Sequence, residues 1–123
     1  MTWFAVHALV AFRKSVPSWP ITINENIFLV EAKDACQAAS EGVRMAMVEV
    51  SAEDGLTIDG EPATRTLVGI RKVLNISNPE PLDLDQDAPV SGTEITYSEY
   101  LVRSEDDLRK LVKGEAVVLR YID

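Results

Sequence analysis

Residues 3–12 carry apolar side chains on both faces of an extended chain, and nothing else in the sequence constrains the fold as much. Successive side chains of a strand point to opposite faces. Phe4, Val6, Val10 and Phe12 then share one face and Trp3, Ala5, Leu9 and Ala11 the other, with His7 set among them. A strand that is oily on both sides belongs in the middle of a sheet or beneath a covering on its second face.

The prolines at 17 and 20 break this run, since each removes a donor and biases its predecessor away from helix. Residues 21–31, with Ile23, Ile27, Phe28, Leu29 and Val30, return as a second strand, and a hairpin is the local default. Asp34 opens a helix, with Gln37 completing a capping-box pattern. Its expected apolar stripe is Ala35, Cys36, Ala39, Val43, Ala46, Met47 and Val50, while Met45 and Val48 fall outside it and suggest a second contact. Asp54-Gly55 is expected to end this segment and Asp59-Gly60 to make a turn.

A strand over 64–76 follows, with Thr66, Val68, Ile70, Leu74 and Ile76 alternating against Arg65, Arg71 and Asn75. After a proline-rich acidic loop over 77–92 come a strand at 93–102, a helix at 104–113 stopped by Gly114, and a strand at 116–122. The expected fold is a single α+β domain over 1–123, an antiparallel-dominated sheet with helices on one face in the order ββαββαβ. Without its first strand that order is ferredoxin-like.

Composition narrows the function. At 46% hydrophobic and 26% charged, the 123-residue chain matches a soluble globular domain. A formal net charge of −8 repels nucleic-acid phosphate and anionic membrane surfaces, so neither partner is expected. The apolar run at 3–12 is too short to span a bilayer and lacks the basic start and small-residue cleavage site of a signal peptide. One cysteine makes no internal disulfide, and the chain reads as cytoplasmic. One histidine and one cysteine also leave few routes to nucleophilic, zinc or proton-shuttle chemistry, which need several such groups converging.

Several stretches, taken in order, resemble a bacterial domain-of-unknown-function family, number 4288. They are Trp3-Phe4-Ala5-Val6, then Glu25-Asn26-Ile27-Phe28-Leu29-Val30-Glu31-Ala32 running into the alanine-rich helix, then Ile58-Asp59-Gly60 with Leu67-Val68-Gly69-Ile70-Arg71-Lys72-Val73-Leu74, and last Gly92-Thr93-Glu94-Ile95. The chain departs from the family in lacking an aromatic residue before Val68 and in its extra helix and strand after Val102. The resemblance implies a small bacterial α+β protein and supplies no activity or catalytic residues.

The residues offer a few chemical candidates. Asp83, Asp85, Asp87 and Glu94 copy calcium-loop spacing, although Ala88 replaces the glycine of the sharp turn and the flanks do not read as helices. A solvated acidic loop is the preferred reading. His7 can meet Glu25 or Glu31 across strands, which would suit a general base or, as we favour, an imidazole satisfied in a packed sheet. Cys36 is expected to be buried and inert. Trp19, between Pro17 and Pro20, either anchors an interface or folds back over the hairpin end. Arg65, Arg71 and Lys72 read as solvent-facing charge, and Tyr97, Glu99 and Tyr100 as possible lining of a small polar pocket.

The functional expectation is a non-catalytic cytosolic binding or assembly module without cofactors, acting through protein–protein contacts as a homodimer. The competing reading is a small-molecule binder or small enzyme using Glu25, Glu31, His7 and Tyr97.

Overall fold

The computed structural model describes residues 1–51, 55–83 and 87–122. The architecture is α+β on an antiparallel sheet. β1 (Thr2–Lys14) pairs with β2 (Thr22–Ala32) on one side, and α1 (Ala35–Val50) follows. The two-residue β3 (Thr57–Ile58) turns into β4 (Glu61–Asn75), which pairs with the other side of β1, giving the order β2-β1-β4-β3. The doubly apolar run is therefore the inner strand. Phe4, Ala5, Val6, Ala8, Val10 and Ala11 are all buried.

The β1–β2 register runs unbroken from Thr2 opposite Ala32 to Phe12 opposite Thr22. It sets Phe4 against Val30 and Val6 against Phe28 on the face that α1 covers. The helix starts at the expected cap. Asp34 Oδ1 accepts the Gln37 N–H at 2.8 Å, while Gln37 Oε1 accepts the Lys33 N–H at 2.7 Å, one residue earlier than in a strict capping box. The helix ends at Val50, and Asp54 of the expected stop lies outside the described residues.

The face that α1 buries differs from the expected one. Ala38, Gly42 and Ala46 are buried and Met45 packs on the core, whereas Cys36, Val43, Met47 and Val48 are exposed. Close approach is the reason. A Cβ added to Gly42 would overlap Val6 Cγ1 and stand 3.1 Å from Val6 Cβ. The strands supply the bulk of this interface and the helix supplies small residues. A stripe weighted by side-chain size misses such a face.

β4 departs from clean alternation too. Lys72 sits opposite His7 and Ile70 opposite Ala8, so Arg71 is an extra residue; Val68 is a second, between Gly69 and Leu67. Each extra residue is a bulge that redirects its neighbours. Ile70 and Val73 pack under α1, the intervening Arg71 and Lys72 both reach the opposite face, and Val68 is 56% exposed instead of inward.

Beyond Ile76 the chain leaves the ladder. The expected strands at 93–102 and 116–122 shrink to a single bridge between Ser77 and Glu94 and to a separate ribbon of β5 (Tyr100–Leu101) with β6 (Arg120–Tyr121). The main sheet therefore lacks the ferredoxin-like circuit, because β4 already occupies the free side of β1 and the later residues lie across the sheet. Between the ribbon strands, α2 (Glu105–Lys113) is capped by Ser104 Oγ, which accepts the Asp107 N–H at 3.1 Å, and closed by Gly114 at φ 75°. Among the described residues only α1 of the two helices packs closely on the sheet. Among the described residues no helix is long and apolar enough to cross a membrane.

Candidate functional site

Polar side chains converge on the sheet face opposite α1. His7 stands there because strand alternation turns it away from Phe4 and Val6. Glu25 lies diagonally across from it on β2, opposite Leu9, and the β4 bulge adds Arg71. The segment after Glu94 crosses this face and brings Thr96.

His7 is 1% exposed and both ring nitrogens are engaged. Nδ1 lies 2.5 Å from Glu25 Oε2 and Nε2 lies 2.5 Å from Thr96 Oγ1. A carboxylate only accepts, so Nδ1 carries a proton, and in the neutral ring Nε2 accepts the Thr96 hydroxyl. Arg71 Nε donates to Glu25 at 3.1 Å to Oε1 and 3.2 Å to Oε2. Burial pushes the Glu25 carboxyl up, but the hydrogen bonds from His7 and Arg71, with their charges, outweigh it and hold the group below its ordinary value.

The cluster continues into the ribbon. The Arg71 guanidinium lies 4.3 Å from the Tyr121 ring centroid, and the Tyr121 and Tyr100 rings meet edge to face at 4.8 Å. A hydrogen bond with Tyr100 raises the Tyr121 phenol above its ordinary range, assisted by burial and by the charges of Tyr100 and Glu25 and opposed by Arg71. Lys72 Nζ donates to the Tyr97 carbonyl at 2.5 Å and to Ser98 Oγ at 3.3 Å, 5.6 Å from the Tyr97 ring.

Thr96, His7 and Glu25 thus form a row of hydroxyl, imidazole and carboxylate, the same three group types as a nucleophile, base and orienting acid. Burial argues against that use here. A base at 1% exposure with both nitrogens bonded is a poor partner for a substrate proton. What the row does physically is pin the crossing segment to the sheet through a buried polar link.

The expected site residues fare differently. Glu25 reaches His7, whereas Glu31 lies near the end of β2 opposite Trp3 and is exposed. Tyr97 joins the cluster through its backbone carbonyl and ring. Arg71 and Lys72 are engaged in it, contrary to a reading as plain solvated charge. Cys36, expected buried, is exposed because the helix turns its small residues to the sheet. Trp19 is 78% exposed in the β1–β2 loop and does not fold back. Thr96 was missed by sequence reasoning; it lies 89 positions from His7 and no local pattern marks it.

In the acidic loop, Asp87 Oδ2 accepts the Asp83 N–H at 2.8 Å, and Glu94 pairs by its backbone with Ser77 at 2.8 and 3.1 Å. Asn78 ties the loop together, its Nδ2 donating to the Asp87 carbonyl at 3.0 Å and its Oδ1 accepting the Thr93 hydroxyl at 2.5 Å. Asp85 lies outside the described residues. Among the described residues no three histidine, cysteine or acidic side chains gather as a metal site. Compared with protein-family models, curated proteins and solved structures, the chain matches none.

Proposed function

We propose that this chain is a non-catalytic binding or assembly module that acts through protein–protein contacts, with a second copy of itself as its partner. The observation that carries the reading is β2. It is the outer strand of the sheet, unbroken in register over its whole pairing with β1, and its row facing away from α1 holds Ile23, Ile27 and Leu29 at 45, 44 and 40% exposure. Among the described residues no strand pairs with its outer edge. An edge this long, free of proline and lysine, is a template for another strand, and natural proteins usually blunt or cover one.

The engaged state of His7 supports the same reading, since the one imidazole serves to hold the fold together. A cytoplasmic setting and membership of the bacterial family 4288 belong to this proposal, on the residues quoted above, and add no activity to it. The competing small-molecule reading draws on the His7–Glu25 contact, but Glu31 stands apart from it.

Sedimentation equilibrium at micromolar concentration tests the proposal. A dimer that Ile27→Lys converts to a folded monomer supports it. A wild-type protein that is strictly monomeric, or a dimer indifferent to Ile27→Lys, overturns the β2 interface.

A further inference from the structure

The loop joining β1 to β2 holds a feature that a strand-edge interface does not use. Trp19 lines two hollows of about 140 and 390 Å³. Beside Trp19, the smaller is lined by Arg13, Lys14, Pro17, Ser18 and Ile21, whereas the larger, with Phe12, Pro20, Ile58 and Asp59 on its walls, does not reach Arg13. Indole, proline rings and branched aliphatics are the walls of small-molecule sites, whose orientation is fixed by a few polar groups.

The charges at this place set the ligand's sign. Lys14 and Asp59 neutralise each other at 2.8 Å, which leaves Arg13. Among the described residues Arg13 makes no ion pair, although it lies on a chain of net charge −8. Glu61 is the other acid here, and its field falls on Lys14. An unpaired guanidinium beside an exposed indole and a hydroxyl matches one anionic group joined to a flat apolar body. The fork of the guanidinium suits a carboxylate, and the indole face suits an aromatic ring.

We propose that the smaller hollow binds a small aromatic carboxylate, its ring stacked on Trp19 and its carboxylate on Arg13, with Ser18 as a further donor. The site lies at the loop end of the hairpin and Ile27 is not among its lining residues, so Arg13→Gln tests it separately from the Ile27→Lys test of the dimer.

The test is a titration of the full-length, ¹⁵N-labelled protein with phenylacetate, and with phenylacetamide as the neutral twin. The indole N–H of Trp19 and the Nε–H of Arg13 report on the site, and the half-buried Trp3 serves as the internal control. The expected result is a saturable shift of the Trp19 and Arg13 signals with phenylacetate. Phenylacetamide should bind about tenfold more weakly, the worth of one charge-assisted contact. Arg13→Gln, at an exposed position, should erase the difference between the two probes while leaving the spectrum of the sheet intact. Equal binding of acid and amide, no saturable shift at Trp19, or an unchanged preference in Arg13→Gln would each overturn the assignment.

Discussion

Replacing Gly42 by alanine probes the contact on which the packing of α1 rests. The added methyl would overlap Val6 Cγ1 and sit 3.1 Å from Val6 Cβ, inside the separation of about 3.5–4.0 Å that relaxed carbons keep. Val6 is 0% exposed, so it has no free space to turn into. Overpacking of this kind costs about 1–3 kcal/mol. The same change improves helix propensity by about 1 kcal/mol. The balance is a net loss of about 1 kcal/mol.

A loss that size is best read as a change of sign. In a Val6→Ala background the overlap with Cγ1 is gone and only the 3.1 Å approach to the Cβ of residue 6 remains, so Gly42→Ala should range from neutral to a stabilisation of about 1 kcal/mol. Urea unfolding of the four proteins, followed by far-ultraviolet circular dichroism, yields the coupling, expected at about 1–2 kcal/mol on these figures. Stabilisation by Gly42→Ala in the wild-type protein, or a coupling below about 0.5 kcal/mol, would refute the close approach.

The remaining expectations concern the polar cluster and the outer face of α1. Thr96→Val leaves the buried His7 Nε2 without its partner and should cost about 1–3 kcal/mol; amide exchange over residues 97–101 should quicken, and unchanged exchange would mean that Thr96 does not pin the segment. Because the Glu25 carboxyl is held below its ordinary value of 4.5, the folded state favours its ionised form. The stability it contributes is present above that value and is lost as the pH falls below it. Urea midpoints measured across this acid range should therefore fall less steeply for Glu25→Gln than for the wild type, and parallel curves would count against the ion pair. Cys36 should react with a thiol reagent in the folded protein as readily as in urea, and protection from the reagent would contradict the orientation found for α1.

The parts of the fold that could be read from sequence are those set by local chemistry. The inner position of β1 follows from its two oily faces, and the caps at Asp34, Ser104 and Gly114 follow from residue type. Opaque features depend on distant partners or on the absence of a side chain. Gly42 contributes nothing to an apolar stripe, yet its bareness decides which side of α1 meets Val6. The strand expected at 93–102 has the composition of a strand but no free ladder edge on β1 to join. At the site, His7 with Glu25 was legible as a cross-strand neighbour, since two residues of known spacing suffice. Arg71 needed the bulge, and Thr96 needed the path of the chain after Ile76, neither of which has a local signature.

The two bulge positions of β4, Arg71 and Val68, also bear on how the gene can change length. Each one inverts the in-and-out phase of the strand, and together they restore it, so only the short step through Gly69 and Ile70 runs out of phase with its flanks. Loss of the single codon for Arg71 or for Val68 would remove one bulge and leave the other residues of β4 opposite their present partners on β1, whereas loss of a codon at a paired position would turn one end of the strand inside out. Variants shortened by one residue at either bulge should be tolerated more readily than those shortened by one at a paired position of β4.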